Sequence, residues 1–378
     1  MTDTNTTHNY FASCPKGLES LLLDELQALG GQNVRQTSAG VSFAADKRTV
    51  YTTLLWTRLA NRILMPLAQE VAQNDKEIYS LVYQIPWEAY FAPNATFVVD
   101  FIGTNADIVN SQFGAQRVKD AVVDRYVKLG LERPSVNKTA PDVRINVRLT
   151  KAGTIVSLDL SGESLHRRGY RSRQGTAPLK ENLAAAILLR AGWPERVRAA
   201  AAKGERTALA DPMCGSGTFL IEGVMMAANI APGLLRKGFG FEKLSSYDDA
   251  LWQSVVKAAI DAGQPVDAPN FPLFFGRDID SNILGFAQRN SQEADLEAAI
   301  RLQSGALADF TLPEDMASIS GLMICNPPYG ERLGEVEALK EDYRQLGQVA
   351  KAQLANWSLG IFTSNTALAK EMRLRAKN

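Results

Sequence analysis

The sequence predicts a mixed α+β front half followed by an open, doubly wound α/β sheet in the back half. Three observations carry this. From Lys180 to Thr363, segments of strand and helix character alternate, an order that gives parallel strands joined by crossover helices. Leu322-Met-Ile-Cys325 is an unbroken apolar run, as suits a strand buried on both faces, and Asn326-Pro-Pro-Tyr329 stops it abruptly. Val143-Arg-Ile-Asn-Val-Arg-Leu149 in the front half instead alternates apolar and polar residues, the pattern of a strand with one solvated face.

A chain of 378 residues suggests two or three domains. No apolar stretch approaches a membrane-spanning length, and Met1 to Asn9 lacks an apolar signal core, so a cytoplasmic location is expected. Cys14, Cys214 and Cys325 have no metal-ligand spacing and read as packing residues. With His8 and His166 as the two histidines, a histidine metal site or triad is not expected, and no metal is assigned. Lysine plus arginine equals aspartate plus glutamate at 41 each, so any basic surface must be local.

In the front half, residues 16–29 read as an amphipathic helix with Leu18, Leu21, Leu22, Leu26 and Leu29 at helical spacing and Gly30-Gly31 as its stop. Val34 to Phe43 reads as a strand pair about Ser38-Ala39-Gly40. Asp46 can cap a second helix carrying Val50, Leu54, Leu59 and Ile63, with Arg58 and Arg62 one turn apart beside it. Thr96 to Ile102 reads as a strand and Gln112 to Lys128 as a helix. The alternating strand puts Arg144, Asn146 and Arg148 on one polar face, and a turn at Gly153 leads into a hairpin partner over 154–160. Between His166 and Arg173 the chain carries Arg167, Arg168, Arg171, Arg173, Tyr170 and no acid. Such a run can be a solvated linker. Fork-shaped guanidiniums interleaved with an aromatic ring are also the groups that grip phosphate and stack on bases, and nucleic-acid contact is the expectation here.

The back half holds two motifs. Asp211-Pro-Met-Cys-Gly-Ser-Gly-Thr218 follows the short strand Thr207–Ala210 and precedes an apolar helix. It is neither a dinucleotide fingerprint nor a P-loop. Its glycines, Gly215 and Gly217, let a ligand approach the backbone, and its acid suits a cationic amino group. That combination fits the methionine end of S-adenosylmethionine. Asp278, ending the strand Phe274–Asp280, can bond a ribose diol. Asp309, expected at a third strand end, can accept from the adenine amine with Phe310 beside the ring. Met213, Thr218, Ile279 and Asn326 complete the candidate cofactor set. Singly, each acid can equally be a turn or cap residue; three at successive strand ends argue for a site.

The second motif is Asn326-Pro327-Pro328-Tyr329. An exocyclic base amine is a poor nucleophile because its lone pair is delocalised into the ring. Two acceptors, the Asn326 side-chain oxygen and the Pro327 carbonyl, held against its N–H bonds favour a pyramidal nitrogen. Tyr329 offers a face on which an extruded base can stack. The plainer reading is a strand end with a Pro-Pro turn and a packed tyrosine.

Taken together, Asp211 to Thr218 and Asn326-Pro-Pro-Tyr-Gly-Glu-Arg-Leu-Gly334, with Phe11 to Glu19, Val118-Lys-Asp-Ala121 and Asp159-Leu-Ser-Gly-Glu-Ser-Leu-His-Arg-Arg-Gly-Tyr-Arg171 before them, resemble the bacterial rRNA guanine-N2 methyltransferases that carry a THUMP domain. The resemblance implies a ferredoxin-like N-terminal domain over 1–65, a THUMP RNA-binding domain over 66–162, a basic linker over 163–179 and a Rossmann-like class I methyltransferase sheet over 180–378. It implies RNA contact through the THUMP unit, for which Lys119, Arg144 and Arg148 are candidates. It also implies a seven-stranded sheet whose last two strands form an antiparallel hairpin; the chain stops at Asn378, too soon for that hairpin, so those strands are expected to be missing. The expected activity is methyl transfer from S-adenosylmethionine to guanine N2 in large-subunit rRNA. The alternatives are a tRNA guanine-N2 enzyme, a DNA adenine-N6 enzyme with the same core motif, or an RNA-binding assembly factor.

Overall fold

Two sheets organise the chain, each in its own compact unit: residues 1–166 with 236–258, and residues 167–235 with 259–378. The structure is a computed structural model and describes residues 6–171, 179–330, 333–353 and 355–375.

In the first unit, β1 (His8–Ser13), α1 (Glu19–Ala28), β2 (Gln32–Thr37), β3 (Gly40–Ala45), α2 (Lys47–Trp56) and β4 (Arg62–Glu70) are followed by α3 (Asp75–Gln84), β5 (Thr96–Ile102), α4 (Ser111–Lys128), β6 (Ser135–Val136), β7 (Val143–Thr150) and β8 (Gly153–Asp159). The strands form one sheet in the order β2-β3-β1-β4-β8-β7-β5-β6. The antiparallel β4–β8 pair joins the two halves, so the expected boundary at 65/66 falls inside a strand. Asp46 caps α2 as expected, accepting from Thr49 N at 2.7 Å. The helix ends at Trp56, however, and Thr57 turns extended. Leu59 lies beyond it, and Ile63 belongs to β4. The helical spacing of these two was fortuitous: a turn and a strand bury them instead. β4 contains Pro66, which cannot donate to a ladder, and its register against β8 shifts between Pro66 and Ala68. Residues 236–258, expected in the methyltransferase span, pack with this unit through Phe241, which stacks on Tyr51 at 4.4 Å, and Trp252, which meets Phe241 edge-on at 5.0 Å.

The second unit contains α5 (Glu181–Arg190), α6 (Trp193–Ala202), β9 (Ala208–Asp211), α7 (Thr218–Ala227), α8 (Asp249–Asp261), whose end alone lies here, β10 (Leu273–Asp278), α9 (Ser281–Glu293), β11 (Ile300–Ser304), α10 (Glu314–Ala317), β12 (Gly321–Cys325), α11 (Leu333–Gln353), β13 (Trp357–Ile361) and α12 (Thr366–Glu371). All pairs in its five-stranded sheet are parallel, in the order β11-β10-β9-β12-β13. The chain order reverses between β9 and β12, which puts the crevice of a doubly wound sheet beyond their carboxyl ends. β12 is buried along its whole length, as its apolar run predicts. No described helix is long and apolar enough to cross a membrane.

Candidate functional site

β9 ends in Asp211, and β12, paired with it through Met323 opposite Ala210, ends two residues later at Cys325, next to Asn326. The two motifs therefore leave adjacent strands on the same side of the sheet. Asp211 is buried, accepts from Met213 N at 3.1 Å and forms no ion pair with a described residue. Burial pushes its carboxyl well above the usual carboxylate range, the Met213 N–H opposes this, and the charge of Asp278 adds to it. A buried acid in this state gains most from a cationic ligand.

The turn after Asp211 is held from the neighbouring strand. Asp278 accepts from Gly215 N through Oδ2 at 2.9 Å and from Asp280 N through Oδ1 at 3.0 Å. Cys214 N donates to the Arg277 carbonyl at 2.9 Å. Gly215 and Gly217 both have positive φ, +53° and +78°, which favours glycine. A Cβ on Gly215 would meet nothing within 4 Å, leaving open space over the turn, whereas one on Gly217 would stand 3.2 Å from Ala287 Cβ. Ile279, just past Asp278, is an apolar side chain 74% exposed at the sheet edge. Met213 is half-buried and Thr218 begins α7.

Asn326 is half-buried, and its Oδ1 is a buried acceptor with no hydrogen-bond partner. A buried carbonyl oxygen left unpaired costs free energy unless a ligand completes it. Pro327 is buried, while the Tyr329 ring remains exposed beside it. Asn365 Nδ2 donates to the Tyr329 carbonyl at 3.5 Å, and Phe362 N donates to the Cys325 carbonyl at 3.0 Å, tying the end of β13 to the motif. The arrangement offers an unpaired acceptor and an exposed ring in one short segment at the end of β12, one strand from a buried acid and an open glycine turn.

Two expected positions differ. Asp309 does not end a strand: β11 stops at Ser304, and Asp309 closes a single 3-10 turn over 307–309. It lines a cleft of about 320 Å³ with Thr311, Glu341, Gln345 and Gln348, whose walls include none of Asp211, Asp278 and Asn326. Phe310 is in the core against Phe275, at 5.8 Å between rings.

The basic segment is buried at Arg168 and Tyr170 instead of solvent-facing. Arg168 and Tyr170 are each 1% exposed and meet the fully buried Glu222 of α7, at 3.4 Å through Arg168 Nε and 3.3 Å through Tyr170 Oη. Arg171 Nη2 donates to Thr218 Oγ1 at 2.8 Å and to the Leu179 carbonyl at 2.9 Å, with Glu181 at 3.6 Å from Nε. These three side chains brace the helix that follows the glycine turn and are not available to RNA. An acid some fifty residues on, Glu222, neutralises part of the run, which local charge density does not reveal. Arg167 is exposed, and Arg173 lies outside the described residues. In the first unit Arg144 is paired with Asp100 at 3.2 Å and Glu163 at 3.4 Å, and Lys119 with Asp120 at 2.6 Å. Arg148 is half-buried and forms no ion pair with a described residue, while Asn146, on the same face, is buried. No cluster of three or more His, Cys, Asp or Glu among the described residues could hold a metal ion.

Comparison with known proteins adds to this geometry. The family model for an RMKL-like methyltransferase domain matches residues 168–378, that for the RlmL ferredoxin-like domain residues 9–64, and that for a THUMP domain residues 72–159. A ribosomal RNA large subunit methyltransferase K/L from Cellvibrio japonicus is 49% identical over 98% of this chain and 48% of its own length. The chain spans about half the length of the curated relatives it matches, 48% in that case. Among solved structures, SMU.472, described as "a putative methyltransferase complexed with SAH", superposes with a TM-score of 0.84 at 30% identity over 99% of this chain and 94% of its own. A protein from Listeria monocytogenes named as a predicted N6-adenine-specific DNA methylase gives 0.83 at 29% identity, over 99% and 93%.

Proposed function

The chain belongs to the RMKL-like methyltransferase family, and on that premise we propose that it transfers a methyl group from S-adenosylmethionine to the exocyclic N2 of a flipped-out guanine in large-subunit ribosomal RNA. The observation that carries the reading is the unpartnered Asn326 Oδ1 at the end of β12, one strand from Asp211.

S-adenosylmethionine supplies an electrophilic methyl on a sulfonium. Asp211, starved of a cation, and the open turn at Gly215 fit its methionine end; Met213, Gly217 and Thr218 shape that turn. Asp278 suits the ribose diol, with Ile279 as an apolar face for the adenine. Asp309 is proposed to meet the adenine amine. Tyr329 stacks on the guanine, and Asn326 Oδ1 accepts one N2–H, with the Pro327 carbonyl proposed as the second acceptor. Catalysis by these residues is positioning: the nitrogen lone pair is freed and aimed, and the proton leaves to solvent after transfer. RNA is gripped by the THUMP unit, for which Lys119, Arg144 and Arg148 remain candidate contacts, and Arg167 of the linker is a further candidate. On this reading the protein works in the cytoplasm, where the rRNA is.

The test is labelled methyl transfer to rRNA taken from cells lacking the modification, followed by mass mapping. The wild type labels guanine N2. Asn326→Ala binds S-adenosylhomocysteine within about threefold of wild type, a difference under 1 kcal/mol, yet transfers nothing. Labelling of duplex DNA but not rRNA overturns the substrate in favour of an adenine-N6 enzyme, the activity named for the Listeria monocytogenes protein; labelling of tRNA alone points to a tRNA guanine-N2 enzyme. Intact RNA binding with no affinity for the cofactor leaves an assembly factor.

A further inference from the structure

The end of β10 carries a buried charge outside the two motifs. Arg277 is 7% exposed and forms no ion pair with a described acid. Its Nη1 donates to the Asp309 carbonyl at 2.7 Å, and its Nε has no hydrogen-bond partner. The guanidinium is seated on Gly305: a Cβ there would stand 2.6 Å from Nε and 2.7 Å from Cζ. The backbone of Arg277 and Asp278 grips both neighbouring loops. The Arg277 carbonyl accepts from Cys214 N at 2.9 Å, and the Asp278 carbonyl accepts from Gly305 N at 3.0 Å.

A buried guanidinium without a counter-ion is costly, so its place in an otherwise apolar strand calls for a use. Filling the space would need only an aliphatic stem. What an arginine adds is a flat, rigid fork that can lie across a glycine and still reach a carbonyl four residues further on. The carbonyl it reaches belongs to Asp309. Asp309 sits in a one-turn 3-10 segment rather than a strand, so no ladder engages its carbonyl; its N–H bonds the Ala306 carbonyl at 3.3 Å, and Arg277 holds the carbonyl side.

We propose that Arg277 is the positioning residue for the purine end of the cofactor site: seated on Gly305, it fixes the 305–310 loop so that the Asp309 carboxylate meets the adenine amine. This rests on the S-adenosylmethionine reading and extends it, assigning discrimination at the cofactor's base to a side chain beneath it.

The experiment compares S-adenosylhomocysteine with S-inosylhomocysteine, in which a carbonyl oxygen replaces the amine and would face the carboxylate. Dissociation constants are measured by calorimetry for wild type, Arg277→Met, Arg277→Lys and Gly305→Ala, each first shown to be folded by its thermal transition. The wild type is expected to prefer the amino form by on the order of tenfold or more, the worth of one well-made hydrogen bond against a repulsive contact. Arg277→Met, which keeps the stem and loses the fork, brings that preference close to one. Gly305→Ala does the same by pushing the guanidinium off its seat, and Arg277→Lys, which can still reach the carbonyl, recovers part of it. A folded Arg277→Met that keeps the wild-type preference overturns the inference. So does an equal loss of affinity for both ligands, which is what a merely structural role gives. A wild type that binds both equally overturns it too, since Asp309 then does not read the amine. A wild type that binds neither ligand removes the cofactor reading, and this inference with it.

Discussion

Asp278 Oδ2 accepts a hydrogen bond from Gly215 N at 2.9 Å, so the acid at the end of β10 holds the glycine turn that leaves β9. Its Oδ1 is engaged with Asp280 N, the cap of α9. A single carboxylate thus shapes the turn and, in the proposed function, also bonds the ribose. Asp278→Ala should lose both roles: affinity for S-adenosylhomocysteine falls on the order of tenfold or more, and the thermal midpoint drops with the loss of about 1–2 kcal/mol of hydrogen bonding. Calorimetry and thermal unfolding measure the two separately. An unchanged dissociation constant removes Asp278 from the site and leaves it a loop brace.

Asp211 makes the opposite trade. Burial raises its carboxyl pKa from the ordinary 3.8. The folded protein therefore binds more protons than the unfolded chain between the ordinary and the raised value, and stability falls as pH rises through that window. A cationic ligand needs the ionised form, so affinity should rise with pH over the same range, with a proton released on binding. Asp211→Asn keeps an oxygen for Met213 N and removes the charge. It should be at least as stable as wild type at neutral pH, with a flatter pH profile, while binding S-adenosylhomocysteine on the order of tenfold more weakly. Thermal melts across pH check the first half and calorimetry in buffers of different ionisation enthalpy the second. A variant less stable at neutral pH contradicts the burial argument.

What could be read from the sequence was whatever a local pattern dictates. The β5 strand lies at Thr96–Ile102, as its run of β-branched and aromatic residues predicts, and Asp46 caps α2 as its position before the helix predicts. The apolar run into Asn-Pro-Pro-Tyr gave β12 and the place of Asn326. What failed depended on distant partners. Leu59 and Ile63 repeat at helical spacing, yet their burial is decided by a strand that Pro66 disguises. Arg168 and Tyr170 read as a solvent-facing basic run because Glu222, which buries them, is far along the chain. Residues 236–258 carry too little periodicity of their own to reveal that Tyr51 supplies their aromatic contact. Arg277 left one local trace, a lone cation between Gly276 and Asp278 in an apolar strand, whose meaning needed the Asp309 loop.

The two glycines of the turn should respond differently to a methyl group. Gly217→Ala must hold φ +78° with its Cβ 3.2 Å from Ala287, so a loss of about 1–2 kcal/mol in stability is expected. At Gly215, φ is +53° and the added Cβ meets nothing within 4 Å. Its stability cost is that of the backbone alone, about 1 kcal/mol, but the methyl enters the space left for the ligand. Gly215→Ala should therefore lose more affinity for S-adenosylhomocysteine than Gly217→Ala while losing less stability. The reverse ranking, by calorimetry and chemical denaturation, shows that the open space over Gly215 is not where the cofactor lies.

The buried Arg168–Glu222 pair separates support of the fold from contact with RNA. Both side chains are shut off from solvent, and Glu222 Oε2 has no partner, so the pair is incompletely satisfied even when intact. Removing Arg168 leaves the Glu222 charge in the core without its guanidinium. Arg168→Met should cost about 3–5 kcal/mol, whereas Arg168→Met with Glu222→Leu, which removes both charges, should recover much of that loss. Tyr170→Phe deletes one bond at 3.3 Å to Glu222 and should cost about 1 kcal/mol. Urea denaturation gives these differences. RNA affinity at fixed salt is the decisive second measurement: Tyr170→Phe and the folded double variant should bind RNA as wild type does, with the same salt dependence. A reduced salt slope in the double variant means that Arg168 reaches phosphate after all, and the core assignment falls with it.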